Sequence, residues 1–170
     1  MITKPQSSNG WLDKYIALVP ENNLIEGLKK QTEISLQLYS SLSEEQLLFR
    51  YAEGKWNIKE IIVHLMDTER VFGYRALRFS RSDKTELPGY DENLFAQNSY
   101  ANERSIGSLI EEYVVVRTAT VALFSNLKPE TLENRGIANG IDMCGAALGF
   151  SILGHEIHHI GIIHERYLGK

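Results

Sequence analysis

Four of the five histidines in this 170-residue chain crowd into its last 16 residues: His155, His158, His159 and His164. His155 and His159 are four apart, which on a helix puts both imidazoles on one face, one turn apart, close enough to share a metal ion. Leu148, Ile152, Ile162 and Arg166 share their stripe, so the face is mostly apolar and should point into a core. A pair at this spacing also arises by chance in a His-rich helix. The fifth histidine, His64, sits in the row Ile61, His64, Thr68, Val71, which also reads as core-facing. A buried neutral imidazole needs a hydrogen-bond partner or a metal. Two readings of His64 follow: a core histidine bonded to a Tyr, an Asp or a carbonyl, slightly favoured by spacing alone, or a third ligand from a second helix. Three imidazoles with a position left open are the catalytic rather than the structural metal pattern, and a cation there would activate water or a thiol.

His155-Glu156-Ile157-His158-His159 also spells H-E-x-x-H, the zinc-protease helix in which the glutamate is the general base. The extended motif would need Gly161 and His164 one residue later. A one-residue shift turns the third histidine by about 100° around the helix. No glutamate follows on a further helix, so a metalloprotease is set aside. Glu156 stays a candidate base, and Glu156 or Asp67 a candidate for orienting a ligand histidine. His158 and His164 face away from the pair and read as surface or interface residues. Ala147, Ser151, Gly154, His158 and Gly161 form a small-residue stripe suited to a close helix or subunit contact. Glu69 is either a pocket acid or the partner of Arg70 or Arg75, and Cys144 reads as a small buried hydrophobe.

The elements that must position these residues are helices. The four prolines, Pro5, Pro20, Pro88 and Pro129, leave three long proline-free stretches. Leu24, Leu28, Gln31, Ser35, Leu38 and Leu42 recur at three and four, predicting a helix over 22–41. Ser43 to Gln46 reads as a capping box that starts a short helical segment ended by Gly54. Asn57 with Glu60 marks a second N-terminus, with Trp56 and Ile61 placed as a hydrophobic staple, and the period runs to Arg81. The stretch 82–102 has no sustained period and reads as a long connection with a short helix near Glu92. Its Tyr90 and Lys84, with Arg81 beside them, could recognise an anion. A third helix follows from Ile106 to Leu127, despite the β-branched run Val114–Val116. After a loop with Gly136, Asn139 and Gly140, a fourth helix is predicted over 142–168. The expected fold class is all-α: one domain over residues 1–170, a four-helix bundle with a long connection between helices 2 and 3.

Composition narrows the function. Lys+Arg is 18 against 22 Asp+Glu, a net charge of −4, which argues against a nucleic-acid binder. The single cysteine excludes an intrachain disulfide. Residues 1–10 are polar, without the apolar core of a signal peptide, and the longest nearly apolar run, 143–154, is too short to span a bilayer. A soluble, cytoplasmic protein with a small-molecule substrate and no membrane partner is the expectation.

Several stretches together resemble the DinB/YfiT-like superfamily: Gly54-Lys-Trp-Asn-Ile-Lys-Glu-Ile-Ile-Val-His64-Leu with Glu69-Arg70, then Tyr74 to Phe79, Leu87-Pro-Gly-Tyr-Asp91, His155-Glu-Ile-His-His159, and Glu165-Arg-Tyr-Leu168. The likeness runs from about Leu24 to Leu168. It implies a four-helix bundle with a divalent metal (zinc, nickel or iron) on three histidines, which map onto His64, His155 and His159. It also implies a homodimer. Family chemistry divides: some relatives use a small thiol such as bacillithiol in transfer or isomerisation, and others are described as metal-dependent hydrolases. The sequence-level expectation is therefore a metal-dependent enzyme, either a hydrolase or a low-molecular-weight-thiol S-transferase. The rival is a non-catalytic, dimeric metal-binding module for stress response or ligand binding.

Overall fold

A computed structural model describes residues 1–5 and 10–169. Residues 6–9, within the polar stretch read as carrying no signal peptide, and residue 170 lie outside the described residues. The chain forms α1 (Gly10–Ile16), α2 (Leu24–Ser41), α3 (Glu44–Leu48), α4 (Ile58–Ser80), α5 (Glu92–Gln97), α6 (Ile106–Asn126), a β1–β2 hairpin (Arg135–Ala138 and Ile141–Cys144) and α7 (Gly145–Ile162). A π-helical turn, Ile163–Tyr167, extends α7. The four long helices α2, α4, α6 and α7 make the bundle. No described helix is long and apolar enough to cross a membrane.

The start signals act as their chemistry requires. The Asn57 side chain accepts from Glu60 N while the Glu60 carboxylate accepts from Asn57 N, a complete capping box at the head of α4. Ser43 and Gln46 do the same for α3, but α3 stops at Leu48, well before Gly54. Asn23 and Ser105 cap α2 and α6 through their side-chain oxygens.

In space α2 packs on α6 and α7, and α4 packs on the same two helices. The chain neighbours α2 and α4 therefore sit diagonally, as do α6 and α7. The segments that join each diagonal pair cross a bundle end, and this brings the long face of α4 against α7. α1 lies across α7 as well.

The last crossing segment departs from expectation. Residues 141–144 form a strand, so the fourth helix begins at Gly145 rather than Asp142. Arg135 pairs with Cys144 and Ala138 with Ile141 around a two-residue turn. Asn139 (φ 52°) and Gly140 (φ 70°) both take left-handed conformations, as a type I′ hairpin turn demands. Leu87 adds to the hairpin edge, its N–H donating to Ile137 O and its carbonyl accepting from Asn139 N. The long connection is thus tied to the hairpin, and together they wall one side of the bundle.

The apolar core falls into two parts. One contains Leu24, Leu28, Phe72, Phe79, Phe124 and Phe150; the other contains Leu38, Ile58, Ile62, Met66, Leu109 and Ile163. Between them each long helix contributes buried polar groups: Gln31 and Ser35 on α2, Thr68 and Glu69 on α4, Arg117 and Thr120 on α6, His155 and Glu156 on α7. A polar layer thus cuts across the bundle at one level.

Candidate metal centre

That layer divides into a closed half and an open half. In the closed half Arg117 Nε and Nη2 donate to the two carboxylate oxygens of Glu69 at 2.9 and 2.8 Å, and Nη2 also meets Glu156 Oε2 at 2.6 Å. Glu156 Oε1 accepts from Ser35 at 2.7 Å and from the Tyr113 hydroxyl at 2.6 Å. Arg117 Nη1 reaches Leu28 O and Thr32. Burial pulls the Arg117 proton affinity down, but the two carboxylates more than reverse this and hold it well above its usual range. All four bundle helices are tied by these bonds. Glu69 therefore pairs with Arg117, not with Arg70 or Arg75. Glu156, held by three hydrogen bonds in this network, is not free to act as a base or to orient one of the histidines. Asp67 pairs with Arg70 instead of orienting His64.

The open half holds the histidines. His64 from α4 meets His155 and His159 from α7, with Nε2 of His155 3.2 Å from Nε2 of His64 and 3.0 Å from Nε2 of His159. His64 and His155 are buried and His159 is half-buried. Trp56, held just ahead of the α4 cap, lies against the His64 ring with centroids 4.6 Å apart. Tyr15 of α1 meets His155 edge-on at 5.1 Å. α1 can come this close because Gly154 of α7 faces it: a Cβ there would lie 2.0 Å from the Tyr15 carbonyl oxygen. The small-residue stripe thus includes a close helix contact, made to a helix that the periodicity did not reveal.

The three imidazoles are poor proton acceptors in this setting. Burial lowers His64 to about 4. Burial, and then the neighbouring histidines, lower His159 to about 3 and His155 well below its ordinary value. Neutral rings with converging lone pairs are what a divalent cation requires. The spacing fits as well. Metal–nitrogen bonds of about 2.0–2.1 Å put tetrahedral ligand atoms about 3.3 Å apart and octahedral neighbours about 3.0 Å apart. The facing nitrogens of all three residues lie within 4.8 Å of one another, so the group could hold a metal ion. His159 Nδ1 is buried without a partner among the described residues, so no hydrogen bond there fixes its tautomer.

The three rings line a cavity of about 490 Å³. Its walls come from α1 (Trp11, Tyr15), α4 (Thr68, Phe72, Arg75), the long connection (Tyr90) and the hairpin (Asn139, Met143). The Tyr90 hydroxyl is 2.7 Å from Thr68 Oγ1; burial raises its pKa, so it stays protonated at neutral pH. His158 is exposed, as expected, yet it does not face away: it also lines the cavity and packs against Tyr15. Of the three residues suspected of anion recognition, Tyr90 reaches the cavity, whereas Lys84 donates to Arg135 O and Arg81 is an exposed helix cap. The α1 and hairpin walls were missed, as was Arg75. Arg75 had a signal: residues 64, 68, 72 and 75 follow one helical stripe.

Comparison with known proteins places the chain in a family. The DinB superfamily model matches residues 28–163, and the chain belongs to that superfamily. It is 26% identical over 155 residues to an Oceanobacillus iheyensis protein named "Putative metal-dependent hydrolase", covering 85% of this chain and 88% of that one. The structure of YfiT from Bacillus subtilis superimposes with a TM-score of 0.63 at 20% identity, over 98% of this chain and 93% of that one. That protein is described as a probable metal-dependent hydrolase with an unusual four-helix bundle topology.

Proposed function

We propose that this protein is a metal-dependent hydrolase in which His64, His155 and His159 hold one divalent cation at the floor of the cavity. The observation that carries the reading is the convergence of three neutral, largely buried imidazoles on a substrate-sized opening. Three imidazole donors suit zinc, nickel or iron. The cation would supply Lewis acidity to whatever nucleophile or carbonyl enters the open side. The chain's own residues do the rest. α4 and α7 hold the ring nitrogens in register, while Trp56 and Tyr15 cover the His64 and His155 rings. The Tyr90–Thr68 hydroxyl pair offers a hydrogen bond to a ligand in the wall.

One observation favours a second reading, transfer to a small thiol such as bacillithiol. Among the described residues the cavity wall contains one carboxylate, Glu92, and it is exposed. With Glu156 and Asp67 both engaged elsewhere, a nucleophile that needs no strong base has the advantage. The test is turnover of untagged, metal-loaded protein on ester, amide and phosphoester panels, with and without added bacillithiol, beside His64→Ala. Turnover of a hydrolysable panel without thiol, lost in H64A, supports the hydrolase. Thiol-dependent turnover moves the assignment to the transferase. Metal binding with no turnover on any panel supports a non-catalytic binding module.

A further inference from the structure

Arg75 is a buried charged wall residue that the metal reading leaves unused. It is 5% exposed. Nη2 donates to the Pro88 carbonyl at 2.9 Å, and the guanidinium lies 5.7 Å from the Phe72 ring centroid. Among the described residues no carboxylate pairs with it. The contrast with neighbouring arginines is sharp: Arg117 has two carboxylates, Arg70 pairs with Asp67 and Glu112, and Arg78 pairs with Asp83. A guanidinium presents five N–H donors, and a buried charge without a counter-ion is costly. Among the described residues one of the five donors, on Nη2, meets an acceptor. Glu92, the one carboxylate of the cavity wall among the described residues, is exposed, where water screens its charge.

We infer that Arg75 anchors the anionic end, a carboxylate or a phosphate, of an organic substrate whose body lies along the aromatic wall towards the three histidines. The inference rests on the reading of this cavity as the substrate pocket. The stripe on α4 runs His64, Thr68, Phe72, Arg75, so both ends face the same space. The helix rises about 16 Å between His64 and Arg75, which excludes a lone inorganic anion touching both. Trp11, Phe72 and Tyr90 supply flat apolar surface for an apolar or aromatic body. The open guanidinium edge suits bidentate pairing with either anion.

Trp11 and Trp56 are the chain's two tryptophans, and both line the cavity, so intrinsic fluorescence reports occupancy. Phenylacetate, phenyl phosphate and the neutral phenylacetamide are titrated into wild type and Arg75→Met, each with metal loaded and after chelation. Both anions are expected to quench saturably and to bind about tenfold or more tighter than the amide. R75M should weaken both anions by about 10–30-fold and leave the amide unchanged, with or without metal. The ranking of the two anions identifies which group the site prefers. Unchanged anion affinity in R75M overturns the inference. So does anion binding that vanishes on chelation, because the anion would then sit on the metal, and so does equal binding of anion and amide. Should R75M fail to fold, Arg75→Lys keeps the charge and loses the fork, and unchanged affinity there overturns the inference as well. Elemental analysis of the same samples separates the two claims: protein without metal that still discriminates through Arg75 refutes the metal reading alone.

Discussion

Arg117→Met tests the polar layer that joins the four bundle helices. The substitution keeps much of the apolar stem and removes the guanidinium. Glu156 would keep its bonds from Ser35 and Tyr113, but Glu69 would lose both of its hydrogen bonds, each donated by Arg117, while remaining 3% exposed. Removing one partner of a buried ion pair costs about 3–5 kcal/mol, because the other charge is stranded. In a chain of this size 1 kcal/mol moves Tm by about 2–4 °C, so a fall of about 10 °C is expected. The assay is thermal unfolding by circular dichroism in chelator, so that metal binding does not contribute. Adding Glu69→Met to R117M removes the stranded charge and should recover at least about 1 kcal/mol, a coupling typical of paired buried groups. A loss below about 3 °C in R117M, or a double variant that melts lower than R117M, would refute the view that this layer is a mutually dependent charge network.

Other perturbations bear on the site. In metal-free protein the histidine pKa values are depressed below their unfolded value, so the unfolded chain binds more protons as pH falls. The Tm of chelated protein should therefore hold above about pH 6.5 and drop between there and about pH 4, where His64 titrates; a curve identical to that of the His64→Gln, His159→Gln double variant would contradict this. Saturating metal, at about 1,000 times its Kd, should stabilise by about 4 kcal/mol, or about 10 °C in Tm, a gain absent from H64A. Gly154→Ala puts a methyl against the Tyr15 backbone; it should detach α1, cost about 2–3 kcal/mol and separate Trp11 from Phe72, seen as a change in tryptophan emission. Asn57→Ala should cost about 1 kcal/mol by opening the α4 cap, measured by denaturant titration.

The long helices were legible because their signals are local. Apolar residues at three and four, and the Asn57–Glu60 and Ser43–Gln46 boxes, need no tertiary information, and the boxes form as read. The β-branched run Val114–Val116 did not mislead, since the period extends through all of α6. The hairpin had a local signal that went unused: Asn139-Gly140 between Ile137 and Ile141 is a type I′ turn sequence. Helical periodicity after Gly145 drew the fourth helix back across β2. α1 spans 7 residues, too few for a period to show. The spacing of His155 and His159 marked one face of one helix, but His64 joins them across 91 residues by packing alone. Arg117 and Glu69, 48 residues apart, illustrate the same limit. Buried charges choose partners by three-dimensional proximity, so sequence offered Glu69 its chain neighbours Arg70 and Arg75 instead.

The central claim is that His64, His155 and His159 together hold one divalent cation. Elemental analysis of the untagged protein, purified without added metal, beside His64→Ala tests it most directly. The expected result is about one divalent ion per chain in the wild type and a near-complete loss in H64A, which removes one of three donors. An H64A protein that folds and keeps the wild-type metal content would contradict it.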